Sequence, residues 1–287
     1  MKICRFNENR LGVVDGDEVL DVTEALSVLP SYEYPLPGYD PLIKHLDALL
    51  ARIETLIKDA PRILLADVRL LSPVANPGKI IAAPINYTRH LQEVLADSAI
   101  NNGVASFTQH IKKSGLFLKA NSSLAGAGEG VALSHQDRRN DHEVELAIVI
   151  GKTARNVPRE KSLEYVAGYC IGIDMTVRGP EERSFRKSPD SYTILGPWLV
   201  TRDEIDSPGE LQMSLKVNGE VRQNANTSDL ILGVEELVEF ASSFYTLHPG
   251  DVIISGTPEG VGPVNPGDAM LAEIERIGTM TIAIRSV

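Results

Sequence analysis

Three carboxylates carry the densest chemical signal in the sequence. Glu143 and Glu145 lie inside the run EVELAIVI at 143–150, and Asp174 closes a second apolar run at 169–173. The first run is rich in β-branched and aliphatic residues, which reads as a buried strand. Alternate side chains of a strand share a face, so Glu143 and Glu145 project together. Two carboxylates side by side on a buried strand repel each other and lose hydration, and a positive group between them offsets that cost. Three hard oxygen donors, with no cysteine or paired histidines, suit Mg²⁺, Mn²⁺ or Ca²⁺ rather than zinc. A Glu-x-Glu pair with one face in water would carry no such chemistry. The apolar residues after Glu145 and the position of Asp174 argue against an exposed face, and spacing alone leaves both readings open.

Other reactive types are scattered around this centre. His90 and Glu93 stand three apart in a run of helical composition, 88–96, so they can touch on one face. Such a pair is either an ordinary surface contact or a carboxylate orienting an imidazole as general base. Lys119 follows three apolar residues and reads equally as a snorkelling lysine or a pocket cation. The run 178–187 holds four cations directly after Asp174, where an anionic chelating substrate would need them, although charge runs commonly lie in solvated loops. His110, Lys112 and Lys113 form a further basic cluster that could attract a carboxylate. The glycine-rich stretch 256–262 lacks the lysine and spacing of a P-loop, which argues against nucleotide binding, but it could bring backbone N–H groups close to a small anion.

The elements that must position these groups read as an α+β, β-rich chain. Strands at 2–6, 11–14 and 18–22 turn at Asp15-Gly16. Asp40-Pro41 starts a helix that Asp59-Ala-Pro61 stops, and its apolar stripe is core. Residues 68–78 read as a connector, giving a small N-terminal domain at 1–70 and a larger domain at 71–287. Within the larger domain, 97–114 reads as a mobile loop, part of a lid around 86–115. A hairpin at 211–223, a helix at 233–247 and strands at 251–255, 270–274 and 280–284 follow, with Trp198 in core packing.

The chain as a whole, 287 residues with 43% hydrophobic and 23% charged, is long enough for a substantial core. A net charge of −11 argues against sequence-independent nucleic-acid binding. With no apolar signal core, no run of membrane-spanning length and two distant cysteines, Cys4 and Cys170, the expectation is a reduced, cytoplasmic protein.

Seven motifs together resemble the fumarylacetoacetate hydrolase family: NYTRHLQE at 86–93, FLK at 117–119, DHEVELAIVIGKTARNV at 141–157, YVAGYCIGIDMTVR at 165–178, KSPDSYTILGPWLV at 187–200, VNGEVRQ at 217–223 and HPGDVIISGTPEGVG at 248–262. They stand in the family's order over most of residues 80–287. The resemblance implies a β-sandwich roll in the C-terminal domain, a homodimer, and a divalent cation, Mg²⁺ or Mn²⁺, held by Glu143, Glu145 and Asp174. It also implies a lid dyad of His90 and Glu93, which overrides the surface-pair reading. Arg178, Lys187 and Thr257 fall at its substrate- or oxyanion-binding positions, with Lys119 a further pocket candidate. Three departures stand out: Glu181 where the family commonly has Gln, Ala120 where it usually has Pro, and a long segment between Glu93 and Phe117. A carboxylate at 181 cannot donate a hydrogen bond unless protonated.

The activity so implied is metal-dependent hydrolysis of the carbon–carbon bond of an acylpyruvate, in aromatic-compound catabolism. His90 acts as base with Glu93, Lys187 is a catalytic cation, and Lys119, Arg178, Glu181 and Thr257 contact substrate. The cations at 178–187 favour a dicarboxylic keto acid, maleylpyruvate or fumarylpyruvate, with a diketo-deoxy sugar acid next. Oxaloacetate decarboxylation and unsaturated keto-acid isomerisation use related chemistry. A Ca²⁺-stabilised binding protein is the alternative that involves no catalysis.

Overall fold

A computed structural model describes residues 1–97, 100 and 111–287. Its centre is the strand Val144–Ile150, with all seven residues buried. It pairs antiparallel with Val166–Asp174, which in turn pairs with Thr193–Thr201, and both of these nine-residue strands are wholly buried. Alternate side chains of the central strand enter two different cores. Leu146, Ile148 and Ile150 join one, while Ala147 and Val149 join the other. A strand buried on both faces gains nothing from polar alternation, which is why its sequence shows none.

Among the described residues the central sheet has twelve strands. Beyond Val144–Ile150 it continues through Val252–Ile254 and Ile80–Ala82 to Phe117–Lys119. On the other side, Lys2–Phe6 pairs with Thr193–Thr201 through Lys2 opposite Val200, so the N-terminal hairpin strands extend the same sheet. A five-stranded sheet that includes Gln212–Val217, Ala269–Ile274 and Gly278–Ser286 faces one side of it. Met213, Leu215, Met270 and Ile282 meet Leu146, Ile171 and Ile173 there in the larger core. Trp198 is buried in the same core and donates from Nε1 to the Ile277 carbonyl at 2.8 Å. The fold is thus α+β and strand-rich, with sheet packed on sheet.

The opposite face is covered by helix. Ile43, Leu46, Leu49 and Ile53 pack against Ala147, Val149, Leu199 and Ile254. The helix expected from Asp40 onward is two helices, Pro41–Lys44 and Leu46–Leu56, separated at His45. Asp40 caps the first through Oδ1 to the Ile43 N–H at 3.1 Å. Its other oxygen accepts from Ala75 and Asn76 at 3.0 and 2.9 Å, tying the helix start to the connector.

A small sheet positions the carboxylates. Asn140–His142 pairs with Thr176–Val177 on one side and Gly262–Pro263 on the other. The first strand runs straight into Glu143, and the second follows Asp174 by one residue. Residues 98–99 and 101–110 of the expected lid, including His110 of its basic cluster, lie outside the described residues. No helix among those described is long and apolar enough to cross a membrane.

Candidate active site

Glu143 sits at the junction between Asn140–His142 and Val144–Ile150, and Glu145 lies two residues along. The antiparallel register sets Val144 opposite Ile173. The Asp174 N–H donates to the Glu143 carbonyl at 2.9 Å, fixing the end of the neighbouring strand beside the pair. One oxygen from each of Glu143, Glu145 and Asp174 lies within 4.8 Å of the others, and all three residues are buried.

Two lysines and an arginine reach into this cluster. Lys187 Nζ stands 2.7 Å from Glu143 Oε2, from Asp174 Oδ2 and from Thr176 Oγ1. The Thr176 hydroxyl donates onward to Glu143 Oε1 at 3.0 Å. Lys119 donates to Asp174 Oδ1 and, at 2.9 Å, to the Tyr192 carbonyl. Arg178 bonds Asp141 at 2.7 Å and Glu143 at 3.2 Å. These contacts drive the two glutamates apart. Burial opposes the ionisation of Glu143, but Lys187 and then Arg178 outweigh it and hold the carboxyl well below the usual range. Burial pushes Glu145 well above that range, the negative charges of Asp174 and Glu143 push it further, and Lys187 offsets this only in part. Burial likewise pulls Lys119 down, against the attraction of Asp174.

This donor set fits a divalent cation. Its oxygens are hard and convergent, and Glu145 carries a charge penalty that a dication would remove. Glu143, Glu145 and Asp174 would hold such an ion, of the Mg²⁺ or Mn²⁺ kind.

A loop links the carboxylates to a second group. The Gly256 N–H donates to Glu145 Oε2 at 2.6 Å, and the Gly260 N–H donates to Glu93 Oε1 at 2.9 Å. Glu93 Oε2 lies 2.8 Å from His90 Nδ1, both on the helix Thr88–Ala96. The anions approached by the glycine-rich stretch therefore include the protein's own carboxylates. His90, Glu143, Arg178 and Lys187 line one cavity of about 50 Å³.

The remaining expected residues, Thr257, Lys119 and Glu181, are not among those that line this cavity. Thr257 is buried, donating to the Val144 carbonyl at 3.0 Å and accepting from Gln223 at 2.7 Å, and so ties the loop to the central strand. Lys119 lies under the carboxylates at Asp174. Glu181 faces a separate cavity of about 350 Å³, paired through both oxygens with Arg138 at 3.1 and 2.7 Å.

The sequence alone does not single out Asp141, Thr176 or Gln223, and it offers Arg183 only as one of the four cations in the run 178–187. Asp141 and Thr176 flank the carboxylate pair and Asp174 by two residues, and that spacing was the available signal. Gln223 bonds the Val144 N–H at 3.0 Å and the Pro258 carbonyl at 2.9 Å. No local pattern announces it, because its partners come from distant segments.

Three buried carboxylates and two lysines thus lie beside an oriented imidazole, the kinds of group that acid–base and metal-assisted chemistry need. The sequence profile of the Fumarylacetoacetate (FAA) hydrolase C-terminal family matches residues 79–285, and the chain belongs to that family. It is 40% identical to the maleylpyruvate hydrolase of Sphingobium sp. SYK-6, whose crystal structure holds manganese(II) and pyruvate. The two superpose with a TM-score of 0.84, over 100% of this chain and 99% of that one. It is 33% identical to the 2,4-didehydro-3-deoxy-L-rhamnonate hydrolase of a Sphingomonas species, over 97% of this chain and 94% of that protein. Its identity to a mitochondrial oxaloacetate tautomerase of Rattus norvegicus is 34%, over 85% and 81%.

Proposed function

We propose that the protein hydrolyses the carbon–carbon bond of an acylpyruvate of the maleylpyruvate or fumarylpyruvate kind, releasing pyruvate and a carboxylic acid. The observation that carries this reading is the shared cavity, where the His90 imidazole meets Glu143, Arg178 and Lys187. The full-length likeness to a maleylpyruvate hydrolase supports it. Glu143, Glu145 and Asp174 would hold Mn²⁺ or Mg²⁺. That cation, when bound, supplies Lewis acidity toward the oxygens of a keto acid.

The chain's own groups do the rest. Glu93 accepts the Nδ1 proton of His90, which leaves Nε2 as the basic nitrogen. His90 takes a proton from water as the hydroxyl oxygen bonds to the acyl carbon. Lys187 and Arg178 present positive charge toward an anionic substrate. The carbon–carbon bond then breaks with its electron pair on the pyruvyl carbon, which recovers the proton from His90. One water is consumed, its hydroxyl in the acid and its hydrogen in pyruvate.

The test is pyruvate formation, followed with a coupled reductase, from maleylpyruvate, fumarylpyruvate and acetylpyruvate under Mn²⁺. No pyruvate from any of them overturns the reading. The tautomerase relative favours a second reading, enol–keto conversion of oxaloacetate. That reaction consumes no water and forms no pyruvate, so the same assay separates the two.

A further inference from the structure

Gln223 is the one fully buried residue of the strand Glu220–Asn226, 1% exposed between two exposed neighbours. An amide so placed must find partners for its oxygen and for its N–H bonds. Nε2 donates to Thr257 Oγ1 at 2.7 Å and to the Pro258 carbonyl at 2.9 Å, and Oε1 accepts from the Val144 N–H at 3.0 Å. A carbonyl only accepts and a backbone N–H only donates, so these partners fix which end of the amide is which. His142 Nδ1 lies 3.2 Å from Oε1 and therefore donates to it.

The position of Val144 gives these bonds their weight, because it separates Glu143 from Glu145. The neighbouring strand Val252–Ile254 pairs with residues 147–149 and then leaves as the glycine-rich loop, short of Val144. Buried backbone groups need partners, and here side chains supply them. The Val144 N–H reaches Gln223, Gln223 reaches Thr257, and the Thr257 hydroxyl donates back to the Val144 carbonyl at 3.0 Å. These three bonds close a ring that fastens the loop to the strand between the two glutamates. The same hairpin strand seats the loop again at Gly260, whose backbone lies so close to the Arg222 carbonyl oxygen that a Cβ would collide with it. From this seat the loop directs the Gly256 N–H to Glu145 and the Gly260 N–H to Glu93.

We propose that Gln223 is a positioning residue of the reaction. Its amide sets where the glycine-rich loop lies against the central strand, and the loop in turn holds Glu145 among the metal ligands and Glu93 against His90. This rests on reading the three carboxylates as ligands and His90 as the base. Gln223 itself lines no part of the His90 cavity.

The test is calorimetric titration of the metal-free full chain with Mn²⁺, in the wild type, Gln223→Met, Thr257→Val and the double variant. Methionine keeps the length and apolar bulk of the side chain and loses all four bonds. Gln223→Met should bind Mn²⁺ about 10-fold more weakly, the scale for groups that orient a metal ligand from behind. The double variant should match Gln223→Met within about twofold, because both substitutions break the same ring. At saturating Mn²⁺, Gln223→Met should lower kcat for pyruvate release about 10-fold with KM near the wild-type value. Where Gln223→Met does not fold, Thr257→Val carries the same expectation for Mn²⁺ from the other end of the bond. A lowered melting temperature with wild-type Mn²⁺ affinity and kcat overturns the proposal, since the amide would then serve the fold alone. Losses of Mn²⁺ affinity that add in the double variant also overturn it. Metal binding requires no turnover, so a wild-type protein that releases no pyruvate sinks the hydrolase reading, while the Mn²⁺ titrations still decide this one.

Discussion

Glu143 and Glu145 are two residues apart, yet their surroundings push them in opposite directions. Lys187 and Arg178 hold Glu143 as an anion despite its burial, whereas burial and two neighbouring carboxylates favour the protonated form of Glu145. Conservative amides should therefore behave differently at the two positions. In metal-free protein, Glu145→Gln mimics the protonated side chain and should leave urea stability near the wild-type value. Glu143→Gln leaves Lys187 and Arg178 buried against a neutral amide and should cost about 3–5 kcal/mol. Equal losses in the two urea melts would contradict the assignment. In the proposed reaction His90 is the base and not a metal ligand, so His90→Ala should lower pyruvate release by about 10²- to 10⁴-fold. Mn²⁺ affinity measured by calorimetry should stay at the wild-type value, and a joint fall of both would place the imidazole among the ligands. At this scale the sequence was most legible where charge interrupts an apolar run, as at Glu143, Glu145 and Asp174. It was least legible at Gln223, an ordinary polar residue of a hairpin strand whose role arises only when the Val144 and Pro258 segments meet around it.

The glycine-rich loop is the element that ties the carboxylates to the dyad. One backbone N–H near its start holds Glu145, and another four residues later holds Glu93. Gly256 and Gly260 both adopt φ of 92°, which side chains rarely tolerate, and a Cβ on Gly260 would collide with the Arg222 carbonyl oxygen. Gly260→Ala should therefore cost about 1–3 kcal/mol of stability and lower turnover by displacing Glu93. Thermal melts and the rate of pyruvate release check the two parts, and full activity in a destabilised protein would show that the Glu93 contact is dispensable. Composition alone indicated a loop suited to approach by an anion. It could not name the anions, because Glu145 and Glu93 lie 111 and 167 residues away from their donors. The helices at Pro41–Lys44 and Leu46–Leu56 teach a similar lesson. Capping by Asp40 and the apolar stripe were readable, but the separation at His45 was not, since hydrophobic periodicity runs through it unbroken.

For the whole molecule, the paired strands Val144–Ile150 and Val166–Asp174 were readable as apolar runs, whereas the pairing of Lys2–Phe6 with Thr193–Thr201 joins distant segments that share no local signal. That large sheet buries the acidic cluster, so metal occupancy and folding stability are linked. In metal-free protein the folded-state pKa of Glu145 lies well above its unfolded value. Its contribution to stability is therefore fully present below the ordinary glutamate pKa and is lost as pH rises through the raised one. Glu143 has the opposite sign: its contribution is present above the ordinary value and is lost as pH falls through its depressed one. Metal-free protein should accordingly lose stability as pH climbs from the ordinary glutamate range toward the raised pKa of Glu145, by up to about 1.4 kcal/mol per pH unit for the one proton. Bound Mn²⁺ requires that proton to leave. Apparent metal affinity should therefore rise up to about tenfold per pH unit over the same window. At 100 times its dissociation constant the ion should add about 2.7 kcal/mol of stability. Urea melts across that range, with chelator and with Mn²⁺, measure both effects. Parallel curves would mean that Glu145 keeps its charge without the metal and that the cluster is balanced by its lysines alone.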